Sequence, residues 1–233
     1  MKRTGIVILV IFLVLLLDQS SKIWIKTHME YGEYFKIFNL DWARIHFVEN
    51  PGMAFGLELE VSYGKLLLSL FRIVAVGFLI YYLNLLIKAK SNFGLLISFA
   101  LILAGAMGNI IDSAFYGMIF SESYPGTLAR IFPSEGGYAS FLHGKVVDML
   151  YFPLFSGTYP DWFPLIGGRP FLFFKPVFNV ADSAITSGVL SIILFQRSFF
   201  ATPMPIEDTA SKAPKPEDEQ SSNDEPEANA SNT

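Results

Sequence analysis

The chain has 233 residues, 52% of them apolar and only 16% charged, where soluble domains carry roughly 25% charged residues, so the composition speaks against a water-soluble globule. It contains no cysteine, which excludes disulfides, thiol catalysis and thiolate metal sites, and its three scattered histidines make a poor zinc site. The formal charge of -4 is set by the C-terminal end: residues from Pro203 onward carry eight acids against two lysines, which leaves the rest of the chain at +2.

A helix that spans a bilayer needs roughly 20 mostly apolar residues, and four stretches qualify, at about 4–25, 66–87, 93–112 and 177–197. The first opens on Lys2-Arg3 and an apolar run, as a signal peptide does, but no small-x-small cleavage site follows and three more spans do, so it is read as a helix that continues past Asp18. Asp18 and Lys22 stand four residues apart on one face, the spacing of a local ion pair. Residues 26–65 are too polar and broken to span. Within them Phe35 to Val48 mixes aromatic and β-branched residues in partial alternation, which predicts strands in a small sheet at the membrane surface. Its aromatic side chains suit the boundary between headgroups and hydrocarbon.

The second span carries Arg72 on one half, and the short turn after it holds Lys88 and Lys90. The third has small residues at Ala104, Gly105 and Gly108, which let a neighbouring backbone approach, and closes on Asn109 and Asp112. Residues 114–176 form a long loop with turn-forming stretches at Ser121 to Gly126 and Ser134 to Gly137. Near its middle Asp148 lies in an apolar run too short to span, predicted as a surface helix or re-entrant segment unless the acid belongs to an exposed loop. The fourth span opens on Asn179 and Asp182, again three apart and so on one face. The tail, 201–233, has too little apolar surface to order itself and is read as a disordered acidic segment appended to a membrane-embedded body of residues 1–200.

Lys2, Arg3, Lys88, Lys90 and Arg197 place both termini and the short turn in the cytoplasm, and the two long segments outside. The fold predicted is an all-α membrane protein, a four-transmembrane-helix bundle with a small extracytoplasmic β-sheet and a long extracytoplasmic loop. No internal repeat divides the spans into two similar pairs, which weighs against a transporter of duplicated halves.

Charged side chains at membrane depth are costly and mark function or helix contact, and here they are Asp18, Arg72, Asp112, Asp148 and Asp182. Two carboxylates held together away from water cannot both ionise, so the pair keeps one proton. Such a pair can hydrolyse a peptide bond, the ionised member taking a proton from water while the protonated one donates to the carbonyl oxygen. Periodicity does not choose between Asp112 and Asp148. The acids could instead be interhelical glue or the path of a small transporter or channel, although they gather toward one side of the membrane.

Asp18-Gln19-Ser20-Ser21-Lys22, Asn50-Pro51-Gly52-Met53-Ala54-Phe55-Gly56, Gly105-Ala106-Met107-Gly108-Asn109-Ile110-Ile111-Asp112, Val146-Val147-Asp148 and Phe178-Asn179-Val180-Ala181-Asp182-Ser183-Ala184-Ile185 occur in that order. From Thr4 to Arg197 the chain resembles bacterial lipoprotein signal peptidase, signal peptidase II. The resemblance implies an aspartic peptidase of the inner membrane that removes signal peptides from diacylglyceryl-modified prolipoproteins, cutting before the lipid-modified cysteine near the periplasmic face. It implies Asp148 and Asp182 as the catalytic pair. Asp18, Lys22, Asn50, Gly52, Asn109 and Asn179 would shape the site and bind substrate, and Asp112 and Arg72 would support it. No cofactor, metal or nucleic acid is called for; membrane lipids are the surroundings, and a monomer is expected. The chain departs from the family pattern in three places: Ser113 stands where an arginine usually follows Asp112, the stretches between Asp112, Asp148 and Asp182 are longer, and the acidic tail is added. Arg72 is expected to replace the missing arginine by reaching Asp112.

Overall fold

The computed structural model describes residues 2–51 and 62–196, with 62–65 described as backbone only. Gly52, Arg197 and the tail at 201–233 lie outside the described residues. Helix α1 (Arg3–His28) is followed by β1 (Tyr34–Lys36), a tight turn at Ile37–Asn39 and β2 (Arg44–Asn50). Helices α2 (Ser62–Lys88) and α3 (Phe93–Ile111) come next, and a π-helical turn at Asp112–Tyr116 leads into the short α4 (Gly117–Ile119). The chain then forms β3 (Val146–Tyr151), a hairpin of β4 (Phe155–Thr158) and β5 (Pro170–Phe173), β6 (Val177–Phe178) and α5 (Val180–Phe195).

Three helices among the described residues are long and apolar enough to cross a membrane: α1, α2, and the continuous run from Phe93 to Ile119. Their outward side chains are apolar, including Leu9, Phe12, Leu16, Phe71, Val74 and Phe78. The inner face of α1 instead buries Asp18, Lys22 and Lys26. Oil outside and charge inside inverts the soluble pattern and is what lipid as solvent selects. The predicted fourth span appears as α5, an apolar helix of 16 residues. It starts later than expected because residues 177–178 are spent on β6. Asn179 then caps the helix reciprocally with Asp182, each side chain accepting from the other's backbone N–H.

Helix α3 is the central element and packs against α1, α2 and α5. A Cβ on Gly105 would stand 2.2 Å from the Ala181 carbonyl oxygen, and one on Gly108 would stand 2.5 Å from an Asp18 carboxylate oxygen. The small residues thus let α1 and α5 close on α3 at the level of the buried charges. Below that level Val7, Leu83, Leu86, Leu96, Phe99, Leu103 and Ile192 fill the apolar core.

At one end of the helices lies an antiparallel sheet in the order β1-β2-β3-β6. The predicted strands around Phe35 to Val48 are present as β1 and β2. The segment around Asp148 departs from the helix or re-entrant reading: it is strand β3, paired with β2 so that Val48 faces Asp148, Glu49 faces Val147 and Asn50 faces Val146. Alternation along β3 sends Val147 and Met149 into a cluster with Ile25, Phe47, Tyr116 and Phe120, and leaves Asp148 on the other face.

Candidate active site

The site is built on the charged face of α1. The Lys22 ammonium has three N–H donors, and each finds an oxygen: Asp18 at 2.9 Å, Asp112 at 2.8 Å and the Asn109 amide oxygen at 3.0 Å. The Lys22, Asp18 and Asp112 side chains are wholly buried. A buried charge is tolerable only when paired and fully hydrogen-bonded, and this knot meets the condition. Asp18 also accepts from the Ala181 backbone N–H at 2.9 Å, at the start of α5, and Asp112 accepts from the Val147 N–H at 3.2 Å, in β3. Gln19 spans the two acids through its Nε2, 3.0 Å from Asp18 and 2.9 Å from Asp112, while its Oε1 accepts from the Tyr116 hydroxyl. The knot therefore ties α1, α3, β3 and α5 together.

On that base stand the two remaining acids. Asn179 Nδ2 lies 2.8 Å from Asp148 Oδ1, and Asn109 Nδ2 lies 2.8 Å from Asp182 Oδ1. The amides also join each other, Asn179 Nδ2 to Asn109 Oδ1 at 3.1 Å. The result is a bridge, Asp148–Asn179–Asn109–Asp182, in which each carboxyl is held by an amide fixed by the other amide. Asn179 Oδ1 is already occupied by the Asp182 backbone N–H at 2.9 Å, which settles the orientation of its amide. Asp182 sits in the first turn of α5, where the helix dipole favours negative charge. Asp148 is 5% exposed, and its carboxyl is pushed up to about 7, first by burial and next by the negative charge of Asp182. The Asn179 hydrogen bond and Lys22 oppose that shift. The two acids, 34 positions apart in sequence, feel each other's charge.

The described residues expected at the site take differing places around it. Asn50 ends β2 opposite Val146, beside the strand that carries Asp148. Asn109 and Asn179 hold the acids through their amide nitrogens. Arg72 does reach the site, but by donating to Ser113 Oγ at 3.2 Å, and not by an ion pair with Asp112, which Lys22 takes. The reason is geometric. Asp112 opens a π turn, a distortion common at functional sites, with both its oxygens already engaged by α1 and β3. Gly144 completes this corner, since a Cβ there would stand 2.1 Å from the Asp112 carbonyl oxygen.

Gln19 was missed as a site residue, and the signal for it was its place inside the Asp18 motif. The buried pair of Lys26 and Glu49, the latter also accepting from Ser123 at 3.0 Å, was missed too. Lys26 lies one further helical turn along the face of Asp18 and Lys22, and that periodicity was the available sign.

Residues 10–199 match the family model described as signal peptidase (SPase) II. A protein named lipoprotein signal peptidase from Porphyromonas gingivalis is 52% identical over 190 residues, covering 81% of each chain. One of the same name from Amoebophilus asiaticus is 39% identical over 194 residues, covering 82% of this chain and 78% of its own. Two solved structures, both described as a bacterial membrane enzyme determined by the in meso method, align with TM-scores of 0.55. The first is 24% identical and covers 91% of this chain and 93% of its own; the second is 26% identical and covers 81% and 90%.

Proposed function

The chain belongs to the signal peptidase II family, and on that premise we propose that Asp148 and Asp182 are the dyad with which this membrane aspartic peptidase removes signal peptides from prolipoproteins. The observation that carries the assignment is the amide bridge, which holds these two carboxyls together and engages neither in an ion pair among the described residues. Asp18 and Asp112, by contrast, are consumed by Lys22.

The environments divide the labour. Burial and the neighbouring charge favour the neutral form of Asp148, which makes it the proton donor and leaves the part of base to Asp182, held by the Asn109 amide and the Asn179 backbone N–H. Asp182 takes a proton from a water molecule as its oxygen attacks the scissile carbonyl, and Asp148 gives its proton to the carbonyl oxygen. On collapse of the tetrahedral species the C–N bond breaks, Asp182 passes its proton to the departing nitrogen, and Asp148 recovers one from the hydroxyl that becomes the new carboxyl. No metal and no side-chain nucleophile enters the balance.

The substrate is a prolipoprotein carrying a diacylglyceryl group on the cysteine after the scissile bond. Its acyl chains remain in the bilayer, so the bond to be cut must come to a site at the membrane boundary, where the sheet meets the helix ends. The distribution of lysine and arginine supports reading that boundary as the periplasmic side of the inner membrane, with both termini cytoplasmic. Asn50 and Gly52 are assigned to the substrate backbone. Both proposed catalytic carboxyls belong to one chain, and the enzyme is read as acting as a monomer.

Cleavage of a purified diacylglyceryl prolipoprotein tests the dyad. Asp148→Asn and Asp182→Asn keep shape and hydrogen-bond partners while abolishing proton transfer, so each loses nearly all turnover and remains folded by thermal unfolding in detergent. Full activity in either variant removes that residue from the mechanism.

A further inference from the structure

The hairpin β4–β5, inserted between the strand that carries Asp148 and the helix that carries Asp182, is not accounted for by the chemistry above. It carries a largely exposed aromatic ladder: Phe155 stacks on Phe173 at 4.7 Å, Phe171 lies 4.9 Å from Tyr159, and Tyr159 meets Phe163, which meets Trp162. The loop at its tip is ordered by its own backbone bonds, including Tyr159 N–H to the Arg169 carbonyl and Gly167 N–H to the Phe163 carbonyl. Yet the tip turns its apolar groups outward, with Trp162 78% and Leu165 94% exposed.

Leu165 adopts a left-handed backbone conformation (φ 70°), rare for a bulky residue. The same combination recurs on two other turns at this end of the helices: Phe38 (φ 49°) is 92% exposed and Phe132 (φ 48°) is 75% exposed. Three separate turns, after α1, after α4 and before α5, each hold a large apolar side chain out in an unfavourable backbone state. Water gives no reason for this, and a single small partner would not meet all three. A broad apolar surface would.

The root of the hairpin runs into the membrane-facing part of the protein. Phe152 packs on Phe178, Phe174 packs edge-on against Phe178, and Phe178 immediately precedes the Asn179 cap of α5. Arg169 and Lys175, both exposed, flank the ladder against the single acid Asp161. Aromatic rings with basic side chains beside them are the composition that settles at the headgroup level.

We propose that the β4–β5 hairpin is seated in the phospholipid surface on the side of the active site, with Trp162, Phe163 and Leu165 at the headgroup and upper acyl boundary and Arg169 and Lys175 on lipid phosphates. Because the hairpin joins β3 to β6 and α5, this seat ties the bilayer surface to both arms of the carboxylate pair. The inference needs only a membrane-embedded chain and does not rest on the dyad assignment.

Trp162 is its own reporter, since the chain has three tryptophans. In full-length protein with Trp24→Phe and Trp42→Phe, reconstituted in phosphatidylethanolamine and phosphatidylglycerol vesicles, lipids brominated high on the acyl chain should remove about half of the Trp162 emission, as expected for a ring at that depth. Aqueous iodide should quench it weakly. Strong iodide quenching with no effect of bromolipids overturns the proposal, and so does shielding from both, which would mean a protein partner or second copy. Should the double variant not fold, Leu165→Cys in the otherwise cysteine-free chain carries a spin label: faster relaxation with lipid-soluble oxygen than with a water-soluble nickel chelate supports the seat, and the reverse order overturns it.

Discussion

As the proposed acid, Asp148 must remain neutral to donate, and two forces in the structure favour that form: removal from water and the charge of Asp182. The pH dependence follows in sign. Its carboxyl loses its proton near pH 7 in the folded chain but near 3.8 when unfolded. The donor is present below about 7 and lost as pH rises through it, so kcat/KM, which reports the free enzyme, falls on an alkaline limb with an apparent midpoint of about 7. Stability moves the same way. Between about 4 and about 7 the folded state binds the proton that the unfolded state has released, so this group's contribution declines across that window. Wild type should therefore lose melting temperature relative to Asp148→Asn as pH rises from about 4 to above 7; parallel melting curves over that range would show that Asp148 is solvated. Lys22 is the opposite kind of residue, charged and fully matched. Lys22→Met leaves Asp18 and Asp112 facing each other unpaired, and the loss should be about 3–5 kcal/mol. Adding Asp18→Asn should return a large part of it, and a cycle that closes additively would deny the coupling.

At the scale of elements, α5 shows how one residue can start a helix and set a site. Asn179 caps α5 with its amide oxygen and holds Asp148 with its amide nitrogen. Asn179→Ala should cost about 1 kcal/mol for the cap, but turnover should drop far more than that stability change explains. Asn179→Asp, which keeps the cap, should not rescue turnover, because the donor to Asp148 is gone; restored activity would reduce Asn179 to a cap. This dual use was half legible beforehand. The three-residue spacing of Asn179 and Asp182 is a visible capping pattern, whereas the reach to Asp148 depends on where β3 lies. That strand was misread because Val146 to Tyr151 is a short apolar run with no free edge beside it in sequence. Its partner, β2, lies almost a hundred residues earlier, and pairing at that distance leaves no local trace. The Val146-Val147 pair was the available strand signal. The helices were easier to read, since lipid demands long unbroken apolar runs. Only the fourth was overextended, because Val177 and Phe178 are as apolar in a strand as in a span. Arg72 was expected to reach Asp112; its hydrogen bond goes to Ser113 instead, while the charges of Asp182, Asp112 and Asp148 all act on it, and the π turn that turns Asp112 toward α1 and β3 is invisible to helical periodicity.

For the molecule as a whole, the question is how a sheet outside the helices holds Asp148 still against a pair of helices inside them. The knot at Lys22 provides one fastening. A second lies one turn further along α1, where Lys26, with a side chain 0% exposed, pairs with Glu49, 1% exposed, and donates to Ser123 at 2.8 Å. Glu49 stands directly opposite Val147, next to Asp148 on β3, and its other oxygen has Lys145 at 3.6 Å, three residues before Asp148. Lys145 is itself paired with Glu122, and these acids outweigh its burial to keep its ammonium charged. The cluster therefore clamps α1, the segment after α4, β2 and the start of β3. If it is a fastening and not a surface decoration, its energetics must be those of buried ions. Lys26→Met would then leave Glu49 with only the more distant Lys145 and cost about 3–5 kcal/mol, with a matching fall in kcat as the strand bearing Asp148 loosens. Lys26→Met with Glu49→Gln would recover most of the stability, because no bare charge is left behind, yet kcat should recover less, since the tie between α1 and the β2–β3 edge is still cut. Thermal unfolding and turnover of the two single variants and the double variant separate these effects. A single-variant cost below about 1 kcal/mol, the range of exposed pairs, would show that water reaches the cluster and that the sheet is held by its apolar face alone.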